Sequence, residues 1–173
     1  NAFDDELLRA EDAKALQAVL RGEQRLLVRV EAANDILRVL ELKRDYPAIK
    51  MVLVGVSEGW RVADRIAAAG VPVIASALND LPATFELLGA TQSNIGRMKD
   101  AGVKVSIGMI DDRDSHQLRY TTQYAGNLVS LQKVPRATGL SWDEAFAAIS
   151  SGPAEAIGMG DQLGDPADQR ALG

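Results

Sequence analysis

The chain has 173 residues, 47% of them hydrophobic, 25% charged and 5% aromatic, with a formal net charge of −5, one histidine and no cysteine. That composition suits one domain with an ordinary core and excludes a disulfide framework, a thiolate nucleophile and any metal centre built on sulfur or on two histidines of this chain. The acidic balance argues against a nucleic-acid partner, and no apolar run approaches the ~18 residues of a membrane-spanning helix.

The chain begins Asn1-Ala2-Phe3 without an initiator methionine, a basic leader or an apolar signal core. The expectation is therefore a processed chain or a piece, with cytoplasm and periplasm both open as its compartment. Leu7, Leu8, Ala15, Leu16, Val19 and Leu20 recur at helical spacing and Gly22 closes the pattern, which predicts an amphipathic helix over 4–21. The period then changes. Leu26 to Val30 reads as a short strand, and Asn34 or Asp35 caps a helix carrying Ile36, Val39, Leu40 and Lys43 up to Tyr46-Pro47. A second strand over 49–54 leads to a helix from about Glu58 with Trp60, Ala63, Ile66 and Ala67 on its apolar side. Third and fourth strands begin at Val71 and Val103, each behind an Ala-Gly joint (Ala69-Gly70, Ala101-Gly102) suited to a left-handed helix end.

Strand starts near 26, 49, 71 and 103 are 23, 22 and 32 residues apart. Each interval is the length of a strand plus a returning helix, so the strands are expected to run parallel with right-handed crossovers. The remainder is helical. Leu118, Ala125, Leu128 and Val129 define one helix, Ser141-Trp142-Asp143-Glu144 is a capping box opening another, and Ser151-Gly152-Pro153-Ala154 starts a short last one ending by Gly158 or Gly160. Residues 1–164 read as one domain and 165–173 as a tail.

Four parallel strands fit an open doubly wound sheet or half of an eight-stranded barrel. No Gly-x-Gly-x-x-Gly or Gly-x-x-x-x-Gly-Lys loop follows the first strand, so the phosphate-binding fingerprints that would favour a nucleotide fold are absent. Arg29 and Glu31 stand two apart and share one side of the first strand near its carboxyl end, where such folds place their sites. They are candidate catalytic groups, or else an ion pair that only satisfies itself. Gly55-Val56-Ser57-Glu58-Gly59 matches Gly-x-Ser-x-Gly between a strand and a helix, the setting of a serine-hydrolase nucleophile. Asp111, Asp112, Asp114 and His116 follow in the order that chemistry uses, but they crowd into six residues of one loop. Ser57 also fits a simpler role as a helix N-cap. With Glu58 and Trp60 it forms a candidate substrate-binding group, while Asp111 and His116 join Arg29 and Glu31 as catalytic candidates. The three acids could hold a hard cation, yet Arg113 sits among them and no glycine supports a calcium-type loop; a solvated acidic turn is the stronger reading, and no metal or other cofactor is expected.

Taken in order, the segments 52–64, 69–74, 101–108 and 151–158 resemble the amidohydrolase superfamily, imidazolonepropionase-like branch, over about residues 20–164. The resemblance implies the second half of a TIM-type (β/α)8 barrel, strands five to eight, with extra C-terminal helices. It also implies hydrolysis of C–N bonds in amides, cyclic amides and dipeptide-like substrates, with divalent metal activating water. The metal-ligand positions are degenerate here. The family's strand-five His falls on Arg29, its strand-six His on Gly55, and its strand-eight Gly-x-Asp on Gly108-Met109-Ile110, with Asp111 one residue late. Its first-half ligands would lie upstream of Asn1. The expectation is thus a fragment of an amidohydrolase-like protein, lacking the usual metal centre and inactive as this chain. The alternatives are a serine hydrolase using Ser57 and a non-catalytic barrel descendant binding a small anion through Arg29. A small molecule is the expected ligand. Half a barrel leaves two strand edges open, which predicts a homo-oligomer.

Overall fold

A computed structural model describes residues 10–81, 84–110 and 117–163. Its helices and strands run α1 (Ala10–Leu20), β1 (Arg25–Val30), α2 (Ala33–Asp45), β2 (Lys50–Gly55), α3 (Ala63–Ala69), β3 (Val73–Ala75), α4 (Asn94–Asp100), β4 (Val105–Ile107), α5 (Thr121–Leu131), α6 (Trp142–Ile149) and α7 (Ser151–Ile157). Single 3₁₀ turns at Gly59–Arg61, Phe85–Leu87 and Leu118–Tyr120 punctuate the loops. The strands form one parallel sheet in the order β1-β2-β3-β4, as the spacing required. The tail, residues 4–9 of the first predicted helix, and the Asp111 and His116 candidates lie outside the described residues.

Strand period divides the sheet into two unlike faces. Val30, Met51, Leu53, Val73, Ala75, Val105 and Ile107 point toward the helices and join Ile36, Ile66, Ile95, Met98 and Leu128 in the main core. The other face carries Leu27 and Arg29 on β1, Val52 and Val54 on β2, Ile74 on β3 and Ser106 on β4. Val52 and Ser106 are buried, Val54 and Ile74 half-buried, and Leu27 is 53% exposed. α7 covers the amino-terminal end of this second face, for Gly152 packs beside Ser106 Oγ on β4 and Gly158 against the Arg25 guanidinium on β1.

Two predicted strands start late. Val71 and Val103 are buried core residues, at 3% and 2% exposure, that follow the left-handed Gly70 and Gly102. Their apolar character reflects plugging under the helices, while ladder pairing begins one residue on, where Leu53 N donates to Pro72 O and Val73 N to Lys104 O. The third predicted helix, expected from about Glu58, also starts late. The chain passes through the 3₁₀ turn Gly59–Arg61 before α3 begins at Ala63. At the other end of α2 the Lys43 ammonium donates to Pro47 O at 2.6 Å and Ile49 O at 2.8 Å, a cation at a helix C-terminus that also fixes the entry to β2.

Candidate functional site

The carboxyl ends of the four strands form a rim. Glu31 leaves β1, the turn 55–59 leaves β2, and Ser76, Asn79, Gly108, Met109, Ile110 and Tyr124 line a cleft of about 110 Å3 where β3 and β4 end. Arg29 and Glu31 share a side, as the strand period demands: Arg29 Nε lies 3.7 Å from Glu31 Oε1. That distance is Coulombic rather than a hydrogen bond, and the Arg29 side chain is largely exposed, so the pair by itself adds little stability.

The turn after β2 reverses direction through two consecutive residues with positive φ, Gly55 at 95° and Val56 at 55°. A β-branched residue in that region is strained. Its neighbours hold it there. The Val56 side chain is fully buried, its N–H donates to Val30 O at 2.7 Å, and its carbonyl accepts from Asn94 Nδ2 at 2.9 Å. The reversal turns Ser57 back onto β1, where its N–H and its hydroxyl donate to Glu31 Oε2 at 3.1 and 2.7 Å. Glu58 N then donates to Glu31 O at 3.0 Å. Ser57 is therefore not a helix cap: no helix begins there, and its buried hydroxyl binds a carboxylate on the neighbouring strand.

Glu58 faces the other way. It is 7% exposed, and its carboxylate accepts from Ala33 N at 3.0 Å, Gly89 N at 2.7 Å and Arg61 Nη1 at 3.3 Å. The first of these is the cap of α2. The residue in the capping position is Ala32, which has no acceptor, so the expected Asn34 or Asp35 cap is supplied instead by an anion from the next loop. Trp60 Nε1 donates to Gly89 O at 2.7 Å and Trp60 N to Asn94 Oδ1 at 2.9 Å, with the Arg97 guanidinium 4.6 Å from the indole centroid. Gly89 is thus held at both its N–H and its carbonyl. The loops after β1, β2 and β3 are joined through one carboxylate.

Of the sequence candidates, Arg29, Glu31 and Ser57 come together on one side of the rim, while Glu58 and Trp60 form a second cluster toward α2 and α4. Asn94 and Gly89, which sequence reasoning missed, complete the second cluster. Asn94 offered only the signal of a polar residue opening a helix, yet it is buried and spans Val56 and Trp60.

The metal centre implied by the family resemblance can be tested against these donors. Arg29 is a permanent cation with no lone pair to offer. At position 55 a Cβ would strike the Glu31 carboxylate, and the backbone there has a φ that side chains rarely adopt. Among the described residues no group of three or more His, Asp or Glu side chains gathers to hold an ion. Among the described residues, those at the positions the resemblance assigns as ligands do not fit the group.

No family model matches the sequence. An amidohydrolase, tasK, of Hapsidospora irregularis is 31% identical over 132 residues, an alignment that covers 60% of this chain and 14% of that protein. Among solved structures, an amidohydrolase from Thermotoga maritima superposes with a TM-score of 0.75 at 18% identity, over 91% of this chain and 38% of its own. A triazine hydrolase variant gives 0.59 at 18% identity over 88% and 35%, and a zinc-bound adenosine deaminase from Xanthomonas campestris gives 0.52 at 15% over 90% and 36%. The resemblance to the amidohydrolase superfamily is thus carried by sequence and by fold together, and the four parallel strands with their helices correspond to part of a TIM-type barrel. The chain spans about a seventh of that curated relative and little more than a third of the solved ones.

Proposed function

We propose that this chain, amidohydrolase-like in sequence and fold, supplies strands five to eight of a catalytic barrel that hydrolyses C–N bonds, in the imidazolonepropionase-like branch, and that it is not competent alone. The observation that carries the reading is the rim itself. The carboxyl ends of β1 and β2 converge through Glu31, Gly55 and Ser57 at the place where barrels of this type put their chemistry. The same rim presents a guanidinium, a carboxylate and a buried hydroxyl where the resemblance calls for imidazoles, so this segment positions and binds, while the bond-breaking groups belong to the rest of a barrel. The cleft beside β3 and β4 is the corresponding place for part of a small substrate.

The test is a hydrolysis panel of N-acyl amino acids, dipeptides and cyclic amides. It is run with this chain alone and with a polypeptide in which it is preceded by four further βα units of its own reading frame. Turnover is expected only from the longer polypeptide. Turnover of the panel by the 173-residue chain, or its absence from both, would overturn the proposal.

A further inference from the structure

We infer that the Glu31 carboxylate is the internal anion that fixes the turn after β2 on this rim, occupying the space which any side chain at position 55 would need and thereby excluding a metal ligand there. The inference rests on the correspondence with an amidohydrolase-type barrel only for the identity of position 55. Its physical content is local.

Four observations meet at one residue, three of them at its carboxyl group. A Cβ on Gly55 would collide with Oε1 and come within 2.6 Å of Cδ and 2.8 Å of Oε2, so the carboxylate lies directly over the Gly55 Cα. Oε2 accepts two bonds from Ser57, one from the backbone and one from the hydroxyl. Oε1 faces the Arg29 guanidinium. The main-chain carbonyl of the same residue accepts from Glu58 N. A divalent ion at a strand end gathers lone pairs from neighbouring strands; here a fixed anion takes an N–H and an O–H from the turn after β2 and faces a guanidinium on β1, with the polarity of the contacts reversed. The two arrangements exclude each other at Gly55, because a ligand side chain would need the volume that the carboxylate fills. Glu31 is accordingly a positioning residue. It fixes the strained Gly55-Val56 reversal by holding Ser57, the first residue beyond it.

A double-mutant cycle on the full chain reads this out. Gly55→Ala in the native background is expected to raise the unfolding constant by about a hundredfold or more, combining an unfavourable φ with overpacking against the carboxylate. In Glu31→Ala the collision is gone, so adding Gly55→Ala should raise the constant only about tenfold further, leaving a coupling of about tenfold or more. In Glu31→Gln the volume is kept, and the native-background cost should persist. A Gly55→Ala chain that fails to fold but is rescued by Glu31→Ala supports the inference in the same sense, whereas equal costs in all three backgrounds overturn it.

Cobalt(II) titration of the native chain decides independently of whether the variants fold. No stoichiometric visible absorption and no rise in melting temperature are expected. One tightly held ion per native chain overturns the inference. Either failure leaves the hydrolysis panel untouched, so the two readings fail separately.

Discussion

Glu58→Ala is the sharpest perturbation available, because a single side chain terminates three loops. The carboxylate is nearly buried and satisfies two backbone donors, Ala33 N and Gly89 N, besides the Arg61 guanidinium. Each backbone N–H left unpaired costs about 1–3 kcal/mol, and the charged acceptor made those bonds stronger than neutral ones. The Arg61 contact adds little, since that side chain is half-exposed. The expected loss is about 3–5 kcal/mol, which for a chain of this size lowers the melting temperature by about 6–20 °C. Glu58→Gln keeps one acceptor oxygen but turns an amide N–H₂ toward the other donor, so it should lose roughly half as much. Urea unfolding gives the magnitude, and native-state hydrogen exchange gives the location: the Ala33 and Gly89 amides should lose protection together, ahead of the β2 core. A Glu58→Ala cost below about 1 kcal/mol, or unchanged protection at both amides, would refute the idea that this carboxylate joins the loops.

Three further outcomes follow from the geometry. Ser57, buried with its hydroxyl donating to Glu31, should not be labelled by a fluorophosphonate probe at rates above the unfolded chain; labelling lost in Ser57→Ala would favour a serine nucleophile instead. At the start of α6 the capping box holds the Glu144 carboxyl below its ordinary value, first through the Ser141 backbone N–H and then through the Ser141 hydroxyl. A depressed folded-state value means this stabilisation is present above the unfolded value of about 4.3 and is lost as the pH falls through the folded one. Ser141→Ala should therefore raise the Glu144 midpoint toward the unfolded value in an NMR titration and cost about 1 kcal/mol at neutral pH. Finally, β1 and β4 are the edges of the described sheet and Leu27 stands largely exposed on its open face, so sedimentation at micromolar concentration should show a dimer or larger species that Leu27→Lys shifts toward monomer. A native monomer would refute self-association through that face.

The βα repeat was legible because its determinants are local. Apolar period, the paired Ala-Gly joints and the Ser141 capping box each act within one turn of chain, and the structure places a parallel sheet and a box where those signals stood. The shared side of Arg29 and Glu31 follows from strand period alone. What could not be read was any bond between loops. Glu58 reaches Ala33 across 25 residues and Gly89 across 31, and Asn94 reaches Val56 across 38. Local capping rules assign Ser57, Asn34 and Asp35 to helix starts because those rules see only the next three residues. The late starts of β3 and β4 have a related cause: Val71 and Val103 are apolar because they fill the core, and pairing is not what burial reports.

The turn after β2 shows why the same five residues support such different readings. In an ordinary strand-to-helix turn Ser57 would cap the next helix and Glu58 would point into solvent. Two consecutive left-handed residues rotate the chain by enough to send Ser57 toward β1 and Glu58 toward α2, so adjacent residues bond in opposite directions. That reversal needs a residue without a side chain at position 55, both for its φ and for the carboxylate that lies over it. It also needs an external hold on the strained Val56, which Asn94 supplies. Glycine, the buried amide and the two carboxylates therefore form one interdependent unit. A Gly-x-Ser-x-Gly pattern here records the mechanics of a turn that binds two strands and three loops together, with its serine hydroxyl donating to the Glu31 carboxylate.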